Sequence, residues 1–293
     1  MLVAMKSAQP APALKDVVSL GPPTDQADLL AAHHSFLRGM AGLAAHAYPQ
    51  ARSKVPGDFV AFAVCLRLHR LAQSIQSLAR AGYVREAQAI ARGMVSACAD
   101  LVFILEADTN ARALAYALFS RRQRRRKGTA YKEIGLLKDY DRWDAQKTQE
   151  EDKLLASYKA NGYEPASKLG GRDDTWTGLS DRDLIDRVGL AYWYKAFYIP
   201  FSDIAHANVM GANSEFEQLR RGRIQFGPLF DPFDISEVLT ATGLILPVAL
   251  LAVNKHFKLR RTNQIRAARK KFMNVLGKYN EQLLTEHAFE LMI

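Results

Sequence analysis

One stripe of polar side chains has the residue types and the spacing to do chemistry. Its members step by four residues: Tyr194, Tyr198, Ser202 and His206. On a helix this spacing places them on one face, and Asp203 lies within reach of His206 on the same surface. A hydroxyl, a carboxylate and an imidazole together can orient a substrate and transfer a proton. The pattern is equally typical of a polar ladder that fixes one helix against its neighbours, so both interpretations stay open.

An arginine inside an apolar segment is the second candidate. Arg92 lies among small and apolar residues between Ala91 and Ala99, where a charge usually needs a partner. Glu86 precedes Arg92 by six residues, so the two do not share one ideal helix face, but they can enter a common site from different turns. A substrate-binding pair and an internal ion pair are the alternatives. Arg92 can also supply a cation to the stripe that ends at His206.

Two basic stretches accompany a net charge of +10. The first, 121–127, holds six cations in seven residues, and the second, 255–271, holds eight cations and no acid. Such surfaces favour anionic partners and can contact several nucleic-acid phosphates, although a solvated surface without a ligand is the alternative. The first stretch supplies the predicted nucleic-acid-binding residues: Arg121, Arg122, Arg124, Arg125, Arg126 and Lys127.

Standard metal and cofactor signatures are missing from the sequence. It contains no Walker loop, no dinucleotide-binding glycine fingerprint, no His-Glu-x-x-His and no paired Cys-x-x-Cys, so we expect no metal site and no cofactor. Cys65 and Cys98 lie among apolar residues, which predicts core thiols and fits the reducing cytoplasm. The longest apolar run, 238–253, is shorter than the roughly 20 residues of a membrane span, which predicts a buried core helix and no stable span.

The elements that must position these residues are predicted to be helical throughout. Apolar residues recur with the 3.6-residue period of amphipathic helices, and no alternating strand pattern bounded by hairpin turns is present. The predicted fold class is therefore all-α, a helical bundle with a small helical insert. The predicted helices cover about 24–48, 57–80, 83–107, 109–127, 131–143, 149–159, 181–188, 191–210, 236–257 and 262–289.

The chain is predicted to form one helical domain, 24–293, after a flexible N-terminal arm, 1–23, that holds four prolines. Residues 128–180, which include a loop over 161–180, are the candidate for a mobile lobe. Local signals set several helix ends. Gly128 is predicted to end a helix, and Pro200 to kink one. Ser180 is predicted to cap a helix in a motif that resembles a capping box, and Ser236 to cap the apolar helix.

Two groups of these residues resemble the signatures of a known bacterial family. The first group is Glu86-Ala87 followed by Arg92, and the second is Trp176-Thr177-Gly178 followed by Tyr194, Tyr198, Ser202 and His206. The family is the helical domain of unknown function numbered fifty-six seventy-seven, and the similarity extends over roughly 59–257. A carboxylate often follows the family's arginine by about one turn, whereas Ser96 occupies that region here. The resemblance implies a helical bundle and no established activity.

Two functions remain open. In the first, the protein is an intracellular defence or toxin-like effector that acts on RNA or another nucleotide, with His206 transferring the proton and Arg92 holding the phosphate. Helical toxin and antiphage ribonucleases offer a loose analogy, but none of the seven histidines follows an arginine at their spacing. In the second, the protein is a noncatalytic scaffold that binds nucleic acid or protein. The open partners are RNA, DNA, another protein and a second copy in a homodimer.

Overall fold

The computed structural model describes residues 24–51, 56–206 and 231–290, and over these ranges the chain forms helices without a β-strand. The predicted all-α bundle is therefore confirmed. The helices are α1 (Thr24–Ala45), α2 (Tyr48–Ala51), α3 (Pro56–Arg80), α4 (Val84–Glu106), α5 (Thr109–Glu133), α6 (Tyr140–Ala160), α7 (Asp181–Arg187), α8 (Ala191–Trp193), a π-helical turn (Tyr194–Tyr198), α9 (Ile199–Ala205), α10 (Pro232–His256) and α11 (Thr262–Glu290).

The core lies between α3, α4 and α10, with α1 and α11 packed against them. The inner face of α4 repeats every three or four residues and is fully buried: Ala87, Ala91, Met94, Cys98 and Leu101. The small residues of this set let the neighbouring helices approach closely. Burial raises the pKa of the Cys65 thiol to about 12 and raises that of Cys98 as well, so both thiols are protonated core groups, as predicted.

Within the described ranges, two helices are long and apolar enough to cross a membrane by length and composition, namely Val84–Glu106 and Pro232–His256. More than half of the apolar window of each helix is buried inside the bundle. The core helices of soluble proteins pass the same test, so these two helices are weak evidence for a span. Residues 238–253 lie within α10 and supply core residues, as the sequence predicts.

One buried polar cluster joins three helices of the core. His33 on α1 contacts the side-chain oxygen of Gln76 on α3 through Nδ1, and its Nε2 lies 2.7 Å from Oγ1 of Thr242 on α10. Burial lowers the pKa of His33 to about 4, so the ring is neutral at pH 7. Because the oxygen of Gln76 can only accept, Nδ1 carries the ring hydrogen and Nε2 is the acceptor of the ring. The single hydroxyl hydrogen of Thr242 is shared between this nitrogen and the backbone carbonyl of Leu239, 2.9 Å away.

The middle of the chain differs from the sequence prediction. Gly128 does not end its helix, since α5 continues to Glu133. A Cβ at Gly128 would overlap the indole ring of Trp143 on α6, so this glycine permits two helices to pack and does not act as a stop. The separate helices predicted for 131–143 and 149–159 are also wrong. Residues 131–133 end α5, a turn follows, and one helix, α6, runs from Tyr140 through the whole of 149–159 and packs along α5.

The helix caps confirm one prediction and correct another. Ser180 caps α7, because its Oγ accepts from the backbone N–H of Asp183 at 3.1 Å. Ser236 is not the cap of α10. Asp231 takes that role, accepting from two backbone N–H groups at 2.9 and 3.0 Å, while Ser236 lies one turn inside the helix and contacts Asn280. The predicted arm, 1–23, lies outside the described residues, and the mobility of 128–180 stays a prediction.

Candidate functional site

A π-helical turn positions the polar stripe that the sequence singles out. In this turn, Tyr194–Tyr198, the backbone N–H of Ile199 donates to the carbonyl of Tyr194, five residues earlier. Pro200 lies in the first turn of α9, directly after Ile199. Since proline has no N–H, the carbonyl four residues before it loses its usual α-helical donor, which favours the wider turn at this point. The turn and α9 then pack against α4.

Arg92 on α4 is the centre of the site and is held from two sides. Its Nε donates to Oγ of Ser202 at 2.8 Å, and its Nη2 donates to the hydroxyl of Tyr198 at 3.0 Å. The guanidinium carbon also lies 4.9 Å from the centroid of the Tyr198 ring. We call these three residues the Arg92 clamp. The internal ion pair considered for Arg92 is not found within the described residues, where both of its hydrogen-bond partners are neutral hydroxyls.

The hydroxyl hydrogens of Ser202 and Tyr198 are both donated to acceptors other than Arg92. Ser202 Oγ donates to the backbone carbonyl of Tyr198 at 2.6 Å, and the Tyr198 hydroxyl donates to the carboxylate of Asp181. Each oxygen therefore presents a lone pair to Arg92 and fixes the plane of its guanidinium group. Burial, helped by Asp181, raises the pKa of Tyr198 to about 12, so this hydroxyl stays protonated. The two hydroxyls are thus arranged to orient Arg92.

A carboxyl that the sequence patterns did not single out, Asp100, lies eight residues after Arg92 on α4. Trp176 Nε1 donates to its Oδ1 at 2.7 Å. Burial raises the pKa of Asp100 to about 7, and the charge of Asp181 acts in the same direction, while the Trp176 hydrogen bond opposes the shift. A carboxyl that titrates near neutrality can both give and accept a proton. The sequence signal for it was Trp176, since a buried indole N–H needs an acceptor.

The loop that carries Trp176 has a specific requirement for glycine. Gly178 has a φ of +77°, and a Cβ at this position would overlap the backbone of Gly170 across the loop. The indole of Trp176 packs edge-on against Phe103 on α4 and Tyr116 on α5, with ring centroids 5.5 and 5.4 Å apart. The Trp176-Thr177-Gly178 motif therefore closes the loop and presses the indole against α4, beside Asp100.

Three other predicted catalytic residues lie outside the Arg92 clamp. His206 is exposed at the C-terminal end of α9, one turn after Ser202, and its backbone N–H donates to the Ser202 carbonyl at 2.9 Å. Asp203 is half-buried on the same helix. Glu86 is exposed in the first turn of α4, and six residues along a helix correspond to about 9 Å from Arg92. The chemical roles of these three residues stay predictions.

The predicted nucleic-acid-binding residues lie on the second half of α5, where α6 packs. Carboxylates of α6 pair with two of them: Arg125 Nε lies 2.8 Å from Asp144, and Arg122 Nε lies 3.4 Å from Glu151. Because α6 covers one side of this stretch, its cations do not all face solvent. Arg121 is half-buried, and the remaining three are exposed: Arg124, Arg126 and Lys127.

The second basic stretch surrounds the turn between α10 and α11. Asn254 fixes this turn, since its Oδ1 accepts from the backbone N–H of Arg261 at 2.7 Å and its Nδ2 donates to Oγ1 of Thr262 at 2.9 Å. Within the described ranges, no lysine or arginine of this stretch pairs with an acid. Seven of its eight cations are exposed: Lys255, Lys258, Arg260, Arg266, Arg269, Lys270 and Lys271.

Comparison with known proteins adds a family and no activity. The chain matches the Family of unknown function (DUF5677) over residues 58–222, more than half of its length, and this range contains Arg92, Asp100, the Trp176 loop and Ser202. No curated protein and no solved structure matches the chain. Across the part of the chain that the structure describes, no group of three His, Cys, Asp or Glu side chains could hold a metal ion. The chain belongs to the family of unknown function DUF5677.

Proposed function

We propose that this protein binds RNA or another nucleotide and that Arg92 contacts a phosphate of the ligand. The Arg92 clamp carries the proposal. Its guanidinium group is half-buried, and its partners at 2.8 and 3.0 Å are neutral hydroxyls. Among the residues that the structure describes, no carboxylate pairs with this half-buried charge, which favours an anionic ligand at this point. The Nε hydrogen and one hydrogen of Nη2 are used within the protein, which leaves both hydrogens of Nη1 and the second hydrogen of Nη2 to donate to that ligand.

The fixed orientation of Arg92 also favours binding. Ser202 and Tyr198 hold the guanidinium plane before a ligand arrives, so less side-chain entropy is lost when a phosphate oxygen accepts from it. Arginine suits phosphate because its planar donors match phosphate oxygens in pairs. The net charge of +10 and the exposed cations around the turn between α10 and α11 favour polyanions in general, which supports RNA over a small inorganic anion.

Fluorescence anisotropy with a labelled single-stranded RNA tests the proposal, run at low and at physiological salt. Arg92→Gln should weaken binding by about tenfold or more, since a hydrogen bond to a charged group contributes roughly 1.5–3 kcal/mol. Arg85→Gln is the matched control, because Arg85 lies on the same helix and pairs with Asp234 at 3.1 Å, away from the clamp. Equal affinities for the two variants, both folded by circular dichroism, would refute the role of Arg92.

A finer test separates the charge of Arg92 from its orientation. Tyr198→Phe keeps the aromatic ring beneath the guanidinium group but removes the hydroxyl that accepts from Nη2. We expect a loss of affinity of several-fold, smaller than that of Arg92→Gln, because the cation remains but is less well oriented. Ser202→Ala should act in the same direction. Wild-type affinity in both variants would mean that the clamp only holds α9 against α4.

One observation favours a second, enzymatic form of this function. The pKa of Asp100 is about 7, and the negative charge of Asp181 helps to raise it. Asp181 in turn accepts a hydrogen bond from the hydroxyl of the clamp residue Tyr198. In this form the protein is an intracellular effector of the defence or toxin-like type that hydrolyses RNA or another nucleotide, with Asp100 or His206 moving the proton. Single-turnover cleavage assays with Asp100→Asn and His206→Ala test it. RNA binding by the wild type without cleavage would leave the noncatalytic binding function.

A further inference from the structure

The turn between α5 and α6 exposes an unusual group of apolar side chains at the end of a helical hairpin. Ile134 is 67% exposed, Leu136 is 73% exposed, and Tyr131, in the last turn of α5, is 50% exposed. We call these three residues the hairpin tip. Single exposed apolar residues are ordinary on protein surfaces, whereas three within six positions at one protruding turn indicate a surface that binds something.

The backbone of the turn holds these side chains outward. Leu136 N–H donates to the carbonyl of Tyr131 at 2.9 Å, and Gly135 N–H donates to that of Lys132 at 3.0 Å, with Gly135 at a φ of +73°. These two bonds define a Schellman motif, in which the residues at the positions of Leu136 and Tyr131 usually pack against each other and hide their apolar area. Here both stay at least half exposed, so the turn is ordered while its apolar side chains remain uncovered.

Positive charge surrounds the hairpin tip. Residues 124–142 contain seven basic and three acidic side chains, a net charge of +4. Lys132 pairs with Asp141 at 3.3 Å, and Arg125 pairs with Asp144, so acids of the protein neutralise these two cations. The exposed cations not paired within the described residues are Arg124, Arg126, Lys127, Lys138 and Arg142. The surface therefore combines an apolar end with these five cations, which we call the cationic collar.

We propose that the hairpin tip docks into the surface of an anionic lipid bilayer. Ile134 and Leu136 enter the boundary between headgroups and acyl chains, and Tyr131 lies at headgroup level, where amphipathic aromatic side chains are enriched. The cations of the collar contact lipid phosphates, and each one near an anionic surface strengthens binding by roughly fivefold. The protein attaches to the membrane from one side and does not cross it.

The aliphatic side chains favour lipid over nucleic acid as the occupant. A nucleic acid offers phosphates to the collar but no apolar phase for Ile134 and Leu136, since bases stack on aromatic rings. A lipid bilayer offers both phosphates and an apolar phase. The proposal uses neither Arg92 nor its partners, so it stands apart from the proposed RNA function. Because Arg124, Arg126 and Lys127 are also nucleic-acid-binding residues predicted from the sequence, only substitutions of the apolar residues can distinguish lipid from nucleic acid.

Vesicle co-sedimentation of the full chain provides that test, with neutral phosphatidylcholine vesicles compared with vesicles that also contain phosphatidylglycerol. The wild type should bind the anionic vesicles and bind the neutral ones far less. Ile134→Asn with Leu136→Asn removes the apolar end, keeps every charge, and should weaken binding by about tenfold or more. Phe59→Asn with Leu66→Asn is the matched control, because these α3 residues are 61% and 40% exposed but lie elsewhere, and it should bind like the wild type.

Three outcomes would overturn the proposal. Absence of wild-type binding to anionic vesicles would do so directly, as would undiminished binding of the Ile134/Leu136 variant. Loss of RNA affinity in that variant, without any lipid binding by the wild type, would place a nucleic acid at the hairpin tip instead. Lipid binding that survives Arg92→Gln while RNA binding is lost would support the proposal and separate the two surfaces.

Discussion

Asp100 offers a direct test of how burial sets the chemistry of this site. Burial raises its pKa from an ordinary value of 3.8 to about 7. Between these two pH values the folded protein keeps a proton that the unfolded chain has already lost. The contribution of Asp100 to the free energy of unfolding should therefore fall as the pH rises from about 4 to 7 and level off above that. Asp100→Asn removes the ionisable group and retains an oxygen that can accept from Trp176.

The size of the effect follows from the shift in pKa. A difference of about three pKa units corresponds to an upper limit of about 4 kcal/mol in the free energy of unfolding. The side chain of Asp100 keeps some contact with solvent, which screens part of this penalty, so we expect about 2–4 kcal/mol. The stability of Asp100→Asn minus that of the wild type should thus be larger at pH 8 than at pH 4 by this amount.

Urea unfolding followed by far-UV circular dichroism measures this difference at several pH values. The other titrating groups are common to both proteins and cancel when the two are compared. Trp176→Phe sharpens the test. It deletes the hydrogen bond that lowers the pKa of Asp100, and it should move the pH-dependent loss of stability to higher pH. A stability difference between wild type and Asp100→Asn that does not change with pH would refute the reasoning.

Three further substitutions test the elements around the site. His33→Ala should lower the free energy of unfolding by about 2–4 kcal/mol at pH 7, because it opens a cavity and removes the ring between Gln76 and Thr242. The folded pKa of His33, about 4, lies below its ordinary value of 6.5, so His33 destabilises the wild type as the pH falls through this window. The difference in free energy of unfolding between wild type and His33→Ala, measured by urea unfolding, should therefore become smaller. Gly178→Ala forces a side chain into a left-handed, crowded position and should destabilise by about 2 kcal/mol or more, with a change in near-UV circular dichroism. Ser180→Ala should lower the melting temperature through a loss of about 1 kcal/mol, and Ser180→Thr should largely restore it.

Periodicity and cap chemistry in the sequence predicted the bundle, because both act over a few residues. The helix that begins after Ser180 and the polar face shared by Tyr198 and Ser202 are local features of this kind. Gly128 shows the limit of local reasoning. A glycine after a basic run is typical of a helix end, but the same residue also permits close packing, and only the position of Trp143 on α6 decides between the two uses.

The site was predictable in part for the same reason. Arg92 was a candidate cation for the stripe, and the structure brings it to Ser202 and Tyr198. The acidity of Asp100 could not be predicted from its neighbours in the sequence. Its raised pKa comes from burial in the folded state, beside a loop whose Trp176 lies 76 positions further along the chain. Burial by residues that are distant along the chain produces no regular spacing in the sequence from which it could be predicted.

The π-helical turn makes the length of the chain at this point as important as its composition. A π turn holds one residue more than the α-helical turn it replaces, so it behaves as a single insertion accommodated within a helix. Deleting one residue, such as Ala196, would restore a regular helix at little local cost. It would also rotate everything upstream by about 100° relative to Ser202, carrying Asp181 away from Tyr198. A gap of one residue would therefore separate Tyr198 from the carboxylate that accepts its hydrogen, while every amino acid of the Arg92 clamp is still present.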